Sequence, residues 1–274
     1  MRHGREVGEF PVAVTLVQPD GALILLEYFE AQFAATGFRG ERRGGFEEFR
    51  PEPEANQTGR VLPRAELERL AESCAERGVW VIADEIHAPL TLPGATHVPW
   101  LKVSDAARSC GISLTSASKA FNLAGLKAAL LVTASERARV AADRLPPQAV
   151  HAGLLSVVAA EAAFAEGDAW LDAVLAQLDA NRTLLGRLLS EQLPEVAWTP
   201  PQASYLAWLD CRALALGDDP AAAFLERGRL ALAPGTDYGR SGAGYARLNF
   251  GTSAELIADM VQRMADTVPQ QSAR

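Results

Sequence analysis

Between residues 60 and 133 the chain alternates amphipathic stretches with short, uninterrupted apolar runs. Residues 63–77 place Leu67, Leu70 and Cys74 at helical spacing, open on Pro63 and stop before Gly78. That pattern predicts a helix. VWVIA at 79–83, ISLT at 112–115 and the apolar run at 126–132 have strand length. Strands without alternation predict a sheet covered on both faces, and helical patterns between them predict parallel pairing. The expected class is α/β.

Further along, 135–144 and 153–165 read as alanine-rich helices with one apolar side. A long helix is expected over 168–193, with Leu171, Leu178, Leu185 and Leu189 among its buried stripe. The pattern then changes. YLAWL at 205–209, LALA at 230–233 and ARLNF at 246–250 predict short strands, with helices near 219–228 and 253–267. This tail reads as a small α+β unit. The expected division is a larger domain over 1–170 and a smaller one over 171–274. The first fifty residues are atypical: 23–35 reads as a short amphipathic helix, and 38–54 as a glycine-containing loop or disordered segment of mixed charge.

Composition narrows the function classes. The chain has 274 residues and a formal charge of -8, which disfavours binding to a phosphate backbone. Cys74, Cys110 and Cys211 form no C-x-x-C pair, and with four histidines they give no zinc spacing. An odd, unpaired set fits a reducing compartment, so a cytoplasmic location is expected. No apolar run is long enough to predict a membrane span, and no cleavable leader is expected. Only Lys102, Lys119 and Lys127 are lysines, so chemistry that needs an amine has three candidates.

Open parallel sheets bind ligands beyond the carboxyl ends of their strands. Asp84 follows one predicted strand, and Ser116, Ser118 and Lys119 follow the next. Taken alone, Asp84 reads equally as a strand-end cap and Lys119 as a solvated surface lysine. The surrounding motifs are more specific. VIADEIH at 81–87 and TSASKAFNLAGL at 115–126 resemble the cofactor motifs of the fold-type I pyridoxal-phosphate enzymes. Within the class I/II aminotransferase superfamily they are most similar to the cystathionine β-lyase, or C–S lyase, branch. YLAWLD at 205–210 and YARLNFGT at 245–252 resemble segments of that branch's small domain, in the same order.

The resemblance implies a fold-type I large domain, mainly a parallel sheet, with a small C-terminal α+β domain. It implies pyridoxal 5'-phosphate as cofactor and no metal. Lys119 would form the Schiff base and serve as base for the Cα proton, and Asp84 would pair with the pyridine nitrogen. Asn56, in ANQTG where relatives carry N-P-T-G, would bond the ring's phenolic oxygen. His87 either touches the same oxygen or is a packed polar residue. Ser116, Ser118 and Lys127 would serve the phosphate, with lysine standing where relatives have arginine. Arg247 would bind the substrate carboxylate, a task suited to a planar bidentate donor. Tyr205 and Tyr238 are aromatic candidates near the substrate.

The implied activity is β-elimination from cystathionine or a cysteine S-conjugate, giving a thiol, pyruvate and ammonia. An aminotransferase shares every residue named. A third alternative is an inactive remnant or partner-binding protein. The resemblance also implies a homodimer with a small amino-acid substrate. Relatives are longer, and the shortfall is expected on the N-terminal side, where the strand before N-P-T-G is replaced by 38–53. The loss would remove the glycine-containing phosphate turn and leave a sheet edge exposed.

Overall fold

The computed structural model describes residues 23–27, 59–146 and 150–268. Two four-stranded sheets, each with its own helices, are joined by a long helix.

The first unit begins with β1 (Leu23–Glu27), a strand where a helix was expected. It pairs in parallel with the next strand along its whole length, Leu23 opposite Trp80 and Glu27 opposite Asp84. A short apolar run satisfies strand and helix patterns equally, and here the sheet decides. The sheet position beside β2 is therefore filled by Leu23–Glu27. The segment 38–53 lies outside the described residues.

Helix α1 (Arg64–Glu76) starts after Pro63 and buries Leu67, Ala71 and Cys74. Gly78 follows at φ 67, a left-handed turn that glycine adopts without strain. Strand β2 (Trp80–Asp84) is buried up to its last residue. Val81 and Ala83 face Leu67 and Ala107, whereas Trp80 packs with Ile112 and Ala138 on the other face. This is the two-sided burial expected of an apolar run.

Helix α2 (Asp105–Cys110) is capped by Ser104, whose Oγ accepts from Ala107 N at 3.2 Å. Strand β3 (Gly111–Thr115) follows at once and pairs in parallel with β2. A side chain at Gly111 would run into the Trp100 indole, whose Nε1 donates to Ala107 O at 3.1 Å. Strand β4 (Leu130–Thr133) departs from expectation. It is antiparallel to β3, sits at the sheet's edge, and alternates exposed with half-buried residues. Helix α3 (Glu136–Ala142) covers the sheet through Ala138, and Arg137 lies 4.3 Å over the Trp80 ring.

Helix α4 (Leu154–Glu166) is apolar on nearly all sides, yet only Ser156 is buried. Helix α5 (Asp168–Gln192) runs into the second unit and buries Leu178, Asn181, Leu185, Leu188 and Leu189. The second sheet contains β5 (Ala197–Trp198) and β6 (Leu206–Asp210). Helix α6 (Pro220–Gly228) starts on the Asp219 cap with proline in its first turn. Then come β7 (Ala233–Pro234), β8 (Tyr245–Asn249) and α7 (Ala254–Thr267). All pairings are antiparallel, in the order β5-β6-β8-β7. Phe224, Leu248, Phe250, Ile257 and Met264 form the core with the α5 leucines.

Segment 201–204 fastens the units together. Gln202 N donates to Gly59 O at 2.9 Å, Leu92 N to Gln202 O at 2.9 Å, and Ser204 N to Leu90 O at 2.9 Å. Gly59 has φ 64, and a side chain there would meet Pro201 Cβ at 2.6 Å, so the close approach requires glycine.

Candidate active site

Parallel strands β2 and β3 end side by side, with Asp84 opposite Leu114. Asp84 Oδ1 accepts from Ile86 N at 3.1 Å, which turns the chain at the strand's carboxyl end. Beside it Glu85 is buried. Its backbone N donates to Leu114 O at 2.7 Å, and its Oε1 accepts from Trp100 N at 2.7 Å. His97 Nε2 is 3.3 Å from the same oxygen. Glu85 thus ties the turn after Asp84 both to β3 and to the segment before α2.

The loop after β3 carries the lysine. Ser116 Oγ donates to Ala128 O at 2.5 Å and accepts from Ser118 N at 3.0 Å. Both bonds stay within 116–128, so Ser116 closes the loop that presents Lys119. A hydroxyl has one proton to donate, and here it goes to a carbonyl. Lys127 is exposed with φ 54, outside the cavity described next. Asn56 lies outside the described residues.

A cavity of about 270 Å³ is lined by Lys119, Tyr205, Leu206, Ala231, Ala233, Arg247 and Asn249. The two units thus bring the half-buried Lys119 of the first into one space with Arg247 of the second. Arg247 projects from the middle of β8, with Trp208 and Ala233 as its partners across the sheet. Its guanidinium stands 4.6 Å over the Tyr238 ring, and Tyr238 meets Trp208 edge-on at 5.6 Å. A cation over an aromatic face is stabilised by ~0.5–1 kcal/mol and is held in orientation.

His87 is fully buried, its Nδ1 3.0 Å from Ser204 Oγ. Its ring meets Tyr205 edge-on at 5.6 Å. Ser204 is itself buried and left-handed at φ 69. His87 is thus packed against Ser204 and against Tyr205, which lines the cavity. Asn249 was not singled out from the sequence, although strand alternation carries the signal. It lies two residues beyond Arg247, so both point to one face of β8. Glu85, His97 and Ser204 had no comparable signal, because their partners are distant in the chain.

A mainly parallel sheet has an acid at the end of one strand and a lysine beyond the end of the next, and the lysine shares a cavity with an arginine from an antiparallel sheet. Residues 55–264 match the family described as aminotransferase class I and II, and the chain belongs to that family. It is 44% identical over 228 residues to "Putative cystathionine beta-lyase" of Mycobacterium tuberculosis, a match covering 77% of this chain and 55% of that one. It is 36% identical over 212 residues to "Cystathionine beta-lyase PatB" of Bacillus subtilis, covering 76% and 55%. The fold is similar to that of the pyridoxal-phosphate-bound C–S lyase from Staphylococcus hominis. There the TM-score is 0.74 at 25% identity, covering 91% of this chain and 59% of that one. The chain spans about half the length of the curated relatives it matches. Among the described residues no cluster could hold a metal ion, and no helix is long and apolar enough to cross a membrane.

Proposed function

We propose that this chain is a pyridoxal-phosphate-dependent carbon–sulfur β-lyase acting on cystathionine or a cysteine S-conjugate. The observation that carries the reading is Lys119 and Arg247 lining one cavity, with Asp84 at the end of the strand adjoining the lysine's. These residues fit the cofactor at its ring end. Lys119 would hold it covalently, and Asp84 would hold a proton on the ring nitrogen. Ser116, Ser118 and Lys127 are the candidates for the phosphate, with the Ser116 hydroxyl bonded to Ala128 O in the absence of a ligand. Asn56, by its motif, is a candidate for the ring oxygen. When bound, the cofactor supplies an electron sink for negative charge at Cα.

The protein's own residues supply the rest. Arg247 offers two parallel N–H donors to the substrate carboxylate and orients Cα toward Lys119. Lys119, once the substrate's amine has displaced it, would be able to take the Cα proton as general base. The electron pair of the Cβ–S bond leaves with sulfur as a thiolate. Water then replaces nitrogen in the three-carbon remainder, giving pyruvate and ammonia. The names of the relatives support the lyase over an aminotransferase. The reading extends to a cytoplasmic homodimer, and to a large domain over 1–170 with a small one over 171–274.

The test is direct. The purified chain, mixed with cofactor, takes on a visible absorption band that borohydride fixes on Lys119, and Lys119→Ala shows neither. Cystathionine then yields pyruvate and free thiol without added 2-oxo acid. Product only in the presence of a 2-oxo acid would establish the aminotransferase instead. A protein that binds cofactor but is inert in both assays sinks the enzyme claim.

A further inference from the structure

The turn that follows β8 is built tightly around one amide. Asn249 Oδ1 accepts from Gly251 N at 2.8 Å. Phe250 N donates to Tyr205 O at 2.8 Å. From α5, the buried Asn181 donates through Nδ2 to Phe250 O at 2.9 Å and to Thr252 O at 2.7 Å. A side chain at Gly251 would meet Asn249 Oδ1 and Tyr205 Cγ, each at 3.1 Å, so glycine lets the turn close. Two segments distant in the chain thus fix the backbone just beyond Asn249.

These bonds settle which way the Asn249 amide is turned. A backbone N–H needs an acceptor, so the oxygen is committed to Gly251 and the two Nδ2 donors lie at the other end of the amide. Among the described residues Nδ2 donates to no protein group. The side chain is exposed and lines the cavity shared by Lys119 and Arg247. It stands two residues beyond Arg247 on β8, so both side chains leave the same face of the sheet, from positions roughly 7 Å apart. Ala246 and Leu248, between and beside them, are buried on the opposite face. Aspartate or serine would serve Gly251 N as well. What asparagine adds is a pair of N–H donors at the cavity wall.

A carboxylate has acceptor sites left over after a bidentate arginine has taken its two bonds. A neutral amide fills one of them without adding charge, and a donor fixed in advance costs little ordering entropy on binding. We propose that Asn249 is a second substrate-binding residue, its Nδ2 donating to the carboxylate that Arg247 grips, so that the anchored turn helps set the carboxylate's orientation. This role rests on the carbon–sulfur lyase reading, which makes the substrate an α-amino acid.

Two measurements test it. The first needs neither cofactor nor turnover. The full chain, labelled with nitrogen-15, is titrated with propionate, a carboxylate without an amine. The Asn249 side-chain amide signals, assigned by their loss in Asn249→Asp, shift and saturate, and propylamine leaves them in place. Signals that stay put with propionate overturn the proposal, whether or not the chain proves to be a lyase. The second measures KM for S-ethylcysteine in the cofactor-loaded chain. Asn249→Ser and Asn249→Asp both keep an oxygen for Gly251 N and lose the N–H donors. KM rises about tenfold in the serine variant and further in the aspartate variant, with kcat within about twofold and urea midpoints close to the parent's. A residue that only formed the turn leaves KM unchanged in both variants, and that result overturns the proposal while the lyase reading stands. A chain that takes up no cofactor defeats the lyase reading, and the propionate titration still decides whether Asn249 binds a carboxylate.

Discussion

In the proposed reaction Arg247 depends on Tyr238, whose ring lies beneath its guanidinium. A flexible arginine loses rotamer freedom when it binds an anion, and the ring beneath its guanidinium offsets part of that loss. Arg247→Lys keeps the charge and loses the fork. Hydrogen bonds to charged groups contribute about 1.5–3 kcal/mol, so the substrate KM should rise ten- to a hundredfold while cofactor uptake stays unchanged. Steady-state kinetics beside an absorbance titration read the two effects separately.

Ser204 gives a second residue-scale prediction. Its hydroxyl meets His87 Nδ1, and its φ of 69 strains any residue with a Cβ. Ser204→Ala loses the bond and keeps the strain, whereas Ser204→Gly loses the bond and relieves it. Urea denaturation should find the alanine variant less stable than the glycine variant by ~1 kcal/mol. Equal midpoints would contradict the argument.

Among the elements, α5 does most to hold the second unit in place. Its apolar stripe is interrupted by Asn181, which is buried and donates through Nδ2 to Phe250 O at 2.9 Å and Thr252 O at 2.7 Å. Those carbonyls belong to the turn between β8 and α7, so one amide links the long helix to the strand that carries Arg247. Asn181→Leu suits the helix pattern better and still destabilises, because it takes the donor from the buried Phe250 carbonyl and the partly buried Thr252 carbonyl. The expected cost is about 1–3 kcal/mol, set mainly by the buried Phe250 carbonyl. Chemical denaturation measures it. Catalytic constants should suffer as well, since the turn that follows Arg247 and Asn249 loses its anchor.

At the scale of the whole molecule, the buried thiols tie folding to pH. Burial, with the Asp210 carboxylate nearby, pushes the Cys211 thiol from the ordinary 9.0 up to about 12. Burial likewise raises Cys110 to about 11. In the unfolded chain these thiols ionise at their ordinary value. The folded state therefore keeps its full stability below pH 9 and loses it as pH rises through 9 toward 12. Urea midpoints at pH 8 and pH 10.5 should differ more in this protein than in Cys211→Ala. A pH slope identical in the two proteins would show that Cys211 does not contribute.

The proposed chemistry is read from the order of residues because motifs are local. Asp84 ends an apolar strand, and Ser116, Ser118 and Lys119 follow the next, so a reader of the chain meets them as two short words. The α/β class, the helix from Arg64 and the long helix from Asp168 follow likewise from periodicities that depend on near neighbours. Less legible was whatever depends on what lies across a gap in sequence. Leu23–Glu27 is a strand because β2 offers it a parallel partner, and its own pattern suits a helix as well. β4 is antiparallel and half-exposed although its composition is that of a buried strand. His87 lies behind Tyr205 because Ser204 reaches it from the other unit. Lys119 and Arg247 share a cavity because segment 201–204 clasps Gly59 and Leu90. Hydrophobic periodicity and motif spacing are properties of the chain, and the sequence determined them by itself. Partnership across the fold is set by backbone pairing and close packing between distant segments, and only the tertiary structure decided it.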